Sequence, residues 1–124
     1  MPTLKLLPQT SMKGSTAFDQ PPQDVTDLDG WRELSLFVNA SRLSFDSGAG
    51  TTSTPFQVTL LHAPRNQDDD FRQLDNTFEF YSSGDNAAVA YVTQFSRFVK
   101  VQAEFLGTVE TSTCSLEVLA VPKK

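Results

Sequence analysis

Alternation of apolar and polar residues, the mark of a half-buried strand, runs through most of the chain after Gly30. Over Trp31 to Leu43, Leu34, Leu36, Val38 and Ala40 fall on one side, with Glu33, Ser35, Asn39 and Ser41 on the other. A turn-rich stretch, Asp46 to Pro55, follows. Phe56, Val58 and Leu60 then alternate with Gln57 and Thr59, which predicts a second strand paired with the first. Phe71 to Tyr81, with Phe78 and Phe80 around Glu79, and the short run Ala88 to Val92 predict two more. Ser96 to Leu106 is the clearest element: Val99, Val101, Ala103 and Phe105 share one face, opposite Phe98, Lys100, Gln102 and Glu104. The last strand, Thr113 to Val121, aligns Cys114, Leu116, Val118 and Ala120. Gly107 and Thr111 to Thr113 predict a hairpin joining it to the strand before, with Val109 and Glu110 inside the turn. Helical periodicity is absent beyond a turn or two. The pattern predicts an all-β fold, an antiparallel β-sandwich of the jelly-roll or immunoglobulin-like kind.

Ahead of these strands the pattern is different. From Gln9 to Asp29 the residues are mostly Ser, Thr, Gln, Asp, Pro and Gly, with Pro21 and Pro22 at the centre. Residues 1–29 are therefore expected to form an extended N-terminal arm and residues 30–124 the sandwich domain. Lys5 and Pro8 interrupt the first apolar stretch well short of a signal-peptide core of about 7 to 15 residues. No apolar run reaches the roughly 18 to 20 residues of a membrane span, so a soluble protein outside the secretory route is expected.

The 124 residues fit one domain, and a hydrophobic share of 39% with ten Phe supplies its core. Ten Lys plus Arg against fifteen Asp plus Glu leave a net charge of -5, which argues against nucleic acid and anionic membrane as partners. Cys114 is the sole cysteine, so no intrachain disulfide and no Cys-rich zinc site is available.

Candidates for chemistry are few. His62 is the one histidine, at the end of a strand and on the same parity as Phe56, Val58 and Leu60; it reads as a hydrogen-bonded rim residue. Asp68, Asp69 and Asp70 offer oxygen ligands for calcium but lack the spacing of an EF-hand loop, and Asp24, Asp27 and Asp29 are read the same way. Cys114 lies on an apolar parity and reads as a small hydrophobe. Asn39, Ala40 and Ser41 match a glycosylation pattern inside a predicted strand with no secretory signal. No phosphate cradle or nucleophile elbow occurs. The reading is therefore non-enzymatic, with no catalytic, cofactor-binding or metal residue and no cofactor. Trp31, Phe37, Phe95 and Phe98 are aromatics able to meet a sugar or protein partner. The favoured arrangement instead covers one sheet face with the second sheet and the other with the N-terminal arm.

Four segments, Gly30 to Val38, Phe56 to Asn66, Phe95 to Val101 and Cys114 to Leu119, resemble in their order the small β-sandwich virion proteins of tailed bacteriophages. The likeness covers about residues 30 to 124. Lys100 stands where that pattern prefers Arg, and Gln67 to Asp70 replaces its usual loop. The resemblance implies a capsid decoration or cement protein that binds the major capsid protein and forms a homo-oligomer, a trimer being favoured. It implies a place on the capsid surface of the virion after synthesis in the host cytoplasm. The arm is the expected contact, with Phe18, Pro21, Pro22 and Trp31 as partner-contact residues. The Trp-bearing first strand and Ser96 to Val101 also resemble discoidin-type carbohydrate-binding sandwiches, in which Trp31, Arg65, Asp69 and Arg72 would meet the sugar. A tail-fibre or neck component is a third reading, and a small hydrolase using His62 with a nearby acid is the last.

Overall fold

The computed structural model describes residues 3–45, 51–107 and 111–124. Its strands are β1 (Leu4–Lys13), β2 (Phe18–Asp19), β3 (Thr26–Asp27), β4 (Glu33–Ser44), β5 (Thr51–Ala63), β6 (Arg72–Ser82), β7 (Gly84–Val92), β8 (Phe98–Phe105) and β9 (Thr113–Lys123). Single 3-10 turns occur at Pro22–Asp24 and Asp68–Asp70. One sheet runs β1-β9-β4-β7 and the other β2-β8-β5-β6, with β3 also on β8. The alternating residues form the space between them: Leu34, Leu36, Val38, Leu116, Val118 and Ala120 from the first sheet meet Phe56, Val58, Leu60, Val99 and Val101 from the second. Phe45 and Phe56 pack their rings against Phe105 at 6.0 and 4.6 Å between centroids. The molecule is an antiparallel β-sandwich. Its chain passes from sheet to sheet so regularly that, among the described residues, β5 and β6 are the one sequence-adjacent pair of strands bonded to each other, which is the jelly-roll arrangement.

Two expected pairings are corrected. β4 and β5 lie in different sheets, and so do β8 and β9, so neither couple forms a hairpin. Period-2 alternation says which face of a strand is buried; two strands facing one core from opposite sides carry the same pattern as two strands side by side. β5 also begins at Thr51, inside the expected turn. Asp46 to Gly50 of that turn, and Val109 with Glu110 of the expected hairpin, lie outside the described residues.

The N-terminal arm is corrected too. β1 pairs with β9 from Leu4↔Ala120 to Lys13↔Thr113, and Leu6, Leu7 and Met12 are buried in the core. Its alternation is hidden because the register shifts twice, between Lys5 and Leu7 and between Leu7 and Thr10. Each bulge adds a residue and reverses the facing of those that follow, which is how Leu6 and Leu7 are both buried. Pro8 falls within the second shift, on an edge strand, where a missing N–H is tolerated. The chain then crosses to the other sheet, where β2 and β3 line β8. Leu28 N–H donates to the Arg97 carbonyl at 2.7 Å and is followed by Gly30 at φ +89°, a turn glycine that leads into β4. Residues 3–29 thus close one side of the sandwich along its edges and leave its outer faces uncovered.

Two polar side chains are buried at this seam. Gln20 bridges the sheets: Nε2 donates to the Leu6 carbonyl at 2.8 Å, and Oε1 accepts from Val101 N–H at 3.0 Å. Lys100, expected on the polar face, is 5% exposed. Its Nζ lies 3.1 Å from the Asp19 carboxylate and 4.7 Å from the Phe71 ring centroid, so β2 and Phe71 cover the charge while pairing it.

Candidate functional site

The outward positions of the two sheets differ in chemistry. Register sets Lys5, Leu119, Phe37 and Val89 in one row across β1, β9, β4 and β7. The next row holds Val121, Ser35 and Tyr91. Phe37, Val89 and Tyr91 are 38, 64 and 61% exposed, and Leu119 and Val121 are half-buried beside them. The outer side of the other sheet carries Gln57, Glu79 and Glu104 in one row and Thr59, Thr77 and Gln102 in another. A lone exposed apolar residue means little, but five in adjacent register positions form a patch of the kind that partners cover. Phe37 was visible in the sequence as an aromatic on a polar parity. Val89 and Tyr91 carry no such signal, because Ala88 to Val92 is apolar on both parities and so hides which residues face outward. In β9, Leu119 and Val121 on the polar parity were the available signal.

A second feature lies at the end of the sandwich where β5 and β7 finish. A solvent-open cavity of about 570 Å³ is lined by His62, Gln73, Tyr91, Gln94, Phe95 and Ser96, among others. His62 Nδ1 accepts from Ser96 N–H at 2.9 Å, which orients the ring at the end of β5. Around His62 the lining consists of amides, hydroxyls, apolar side chains and the Tyr91 and Phe95 rings.

The other sequence candidates are held by near neighbours. The Arg65 guanidinium pairs with Asp70 at 2.8 Å, and Arg72 Nη1 donates to the Asp69 and Phe71 carbonyls at 2.8 and 2.9 Å. Trp31 packs on the core, with Lys124 Nζ 5.5 Å from its ring centroid. Arg65 and Arg72 therefore spend their guanidinium groups within their own loop. Phe18 sits on β2 beside Ala103 and packs against the core. Pro21 precedes the 3-10 turn that Pro22 opens, and the Pro22 carbonyl accepts from Asn66 Nδ2 at 3.0 Å. Phe98 carries the Arg97 guanidinium 5.0 Å above its ring, and Arg97 pairs with Asp27 at 2.8 Å. The Arg97 hydrogen bond, with help from Asp29 N–H, holds the Asp27 carboxyl below its ordinary range. Asn39 lies within β4 on its outward row with Ala87 and Glu117. Among the described residues no group of three or more His, Cys, Asp or Glu comes together to hold a metal ion, and no helix is long and apolar enough to cross a membrane.

Cys114 is buried, and desolvation pushes its thiol up to about 12. From an ordinary value near 9, this lowers the thiolate fraction at neutral pH by about a thousandfold. A disulfide reagent at pH 8 is therefore expected to label the native chain only through opening, and to label it at once in denaturant. Because the folded value is the raised one, stability is complete below pH 9 and falls as the pH rises from 9 towards 12. Rapid labelling of the native protein would contradict the burial.

Comparison with protein families and with curated proteins found no match for this chain.

Proposed function

We propose that this chain is a non-enzymatic structural protein of a tailed-phage virion, a capsid decoration protein that binds the major capsid protein as a homo-oligomer at the particle surface. The observation that carries the reading is the apolar outer face built from Phe37, Val89, Tyr91, Leu119 and Val121. A rigid sandwich with one such face is suited to lie flat on a shell, where many modest contacts repeated by symmetry give avidity. Jelly rolls recur in viral shells, and the order of the four sequence segments supports the same class. The net charge of -5 favours neither nucleic acid nor an anionic membrane as partner.

The contact is moved from the N-terminal segment to this face, since residues 4–28 hold the sandwich together. Co-sedimentation with assembled tailed-phage shells tests the reading. Saturable pelleting of the wild type, lost in Phe37→Glu/Tyr91→Glu with circular dichroism unchanged, is the expected result. A wild type that stays in the supernatant with every shell tried removes it.

The cavity beside His62 favours a second reading, a carbohydrate-binding module, because neutral amides, hydroxyls and the Tyr91 and Phe95 rings suit a hydroxylated ligand. On immobilised glycans that reading expects binding that His62→Ala abolishes and Phe37→Glu leaves intact.

A further inference from the structure

We infer that β7 is a self-association edge, on which a second copy of this chain adds its own β7 antiparallel, joining two four-stranded sheets into one of eight strands about a two-fold axis. The inference stands apart from the virion reading, since the pair would form in the isolated protein.

An exposed strand edge offers unpaired N–H and C=O groups to any other strand, and sandwiches blunt their edges with charges, bulges, Pro or very short strands. Three edges of this molecule are blunted in those ways. β1 carries Lys5, Pro8 and Lys13 and two register shifts. β2 and β3 are two residues each and bear Asp19 and Asp27. β6 carries Arg72 and Glu79, with two shifts against β5. β7 has none of these over Asn86 to Val92: it contains neither a charge nor a Pro, and it pairs with β4 without a break from Asn86↔Ala40 to Val92↔Leu34. Among the described residues, no strand pairs with its other side.

The occupant follows from charge and shape. A chain of net charge -5 repels its own copies, so self-pairing needs an unbroken strip free of charge; β1 is uncharged from Leu6 to Met12 but holds Pro8 and a register shift there, which leaves β7. That strip is centred on Val89. With Val89 on the axis, Tyr91 of each copy lies opposite Ala87 of the other on the outward face, a large ring over a small residue, while Ala88 meets Ala90. Asp85, the nearest acid, meets Thr93, and its carboxylate already accepts from Arg42 N–H at 2.9 Å. The same pairing joins the apolar faces of the two copies into one continuous surface, because Val89 and Tyr91 stand at their shared border.

Light scattering across a concentration series of the full chain tests this, with Val89→Lys, Val89→Glu and Val89→Thr. Val89 is 64% exposed, so circular dichroism is expected to match the wild type in all three. The wild-type mass is expected to rise towards twice the 13.7 kDa of one chain. Each charged variant sets like charges opposite each other at the axis and is expected to weaken the pair by about tenfold or more, whereas Val89→Thr keeps it. Val89→Lys also reduces the net negative charge, so weakening by that variant is not a general repulsion. An equimolar mixture of the Lys and Glu variants is expected to regain the dimer mass. A chain monomeric at every concentration overturns the inference. So does a trimer or other oligomer indifferent to Val89→Lys, a mixture that fails to recover, or a β7 edge protected only by a different protein.

Discussion

A chain that begins at Gly30 is expected not to fold. Such a truncation removes β1, β2 and β3 together, and with them Leu6, Leu7, Met12 and Leu28, all at most 4% exposed. Burial of a Leu or Met side chain contributes about 1.5 to 3 kcal/mol, so these four residues together rival the net stability of an ordinary domain, about 5 to 15 kcal/mol. The loss is greater than their area. β9 becomes a bare edge along its length, and Lys100 loses Asp19 while remaining beneath Phe71, leaving a charge without its partner. The amide spectrum of residues 30–124 is expected to collapse to the narrow dispersion of an unfolded chain, or the fragment to aggregate through β9. A free arm would predict the opposite: a truncated protein with the melting temperature and spectrum of the full chain. That outcome would refute the assignment of β1 to the sheet.

Gln20→Ala is expected to destabilise the protein by about 2 to 5 kcal/mol. Gln20 is 3% exposed and its amide satisfies two backbone groups on opposite sheets, the Leu6 carbonyl and the Val101 N–H. Its own N–H donates to the Val101 carbonyl at 3.1 Å, so main chain and side chain together clasp Val101 as a strand partner would. Without the amide both groups stay buried and unpaired, at about 1 to 3 kcal/mol each. A lower urea midpoint and faster exchange of the Val101 amide are the measurements. Gln20→Met separates the causes, since it restores most of the volume but neither hydrogen bond. Stability close to wild type in Gln20→Met would mean that packing, not polar satisfaction, is what Gln20 supplies.

Both predictions concern the segment where sequence and structure part. From Glu33 onward the long strands alternate over most of their length, and the faces assigned to Leu34 to Ala40, Val99 to Phe105 and Cys114 to Ala120 are the buried faces. β1 does not alternate because its two bulges reset parity, and β2 and β3 are too short to show a period. Gln20 looks in sequence like one more polar loop residue; only the proximity of Leu6 and Val101, 14 positions before it and 81 after, makes it structural.

The candidate surface was legible to a similar degree. Phe37 stood out as an aromatic among polar neighbours, and His62 as an inward residue at a strand end. Val89, Tyr91, Leu119 and Val121 became a patch only when β4 was seen between β7 and β9, which brings residues more than 50 positions apart into one row.

By itself the sequence determined that the chain is all β, which residues of its long strands face the core, and that Cys114 is part of that core, because these follow from a two-residue period and local composition. The tertiary structure alone decided which strands are neighbours, that the N-terminal residues are an edge of the sandwich, and that apolar positions gather on one outer face beside an unguarded strand. Alternation is a property of one strand, whereas adjacency is a relation between strands distant in the chain, set by how two sheets share a single core.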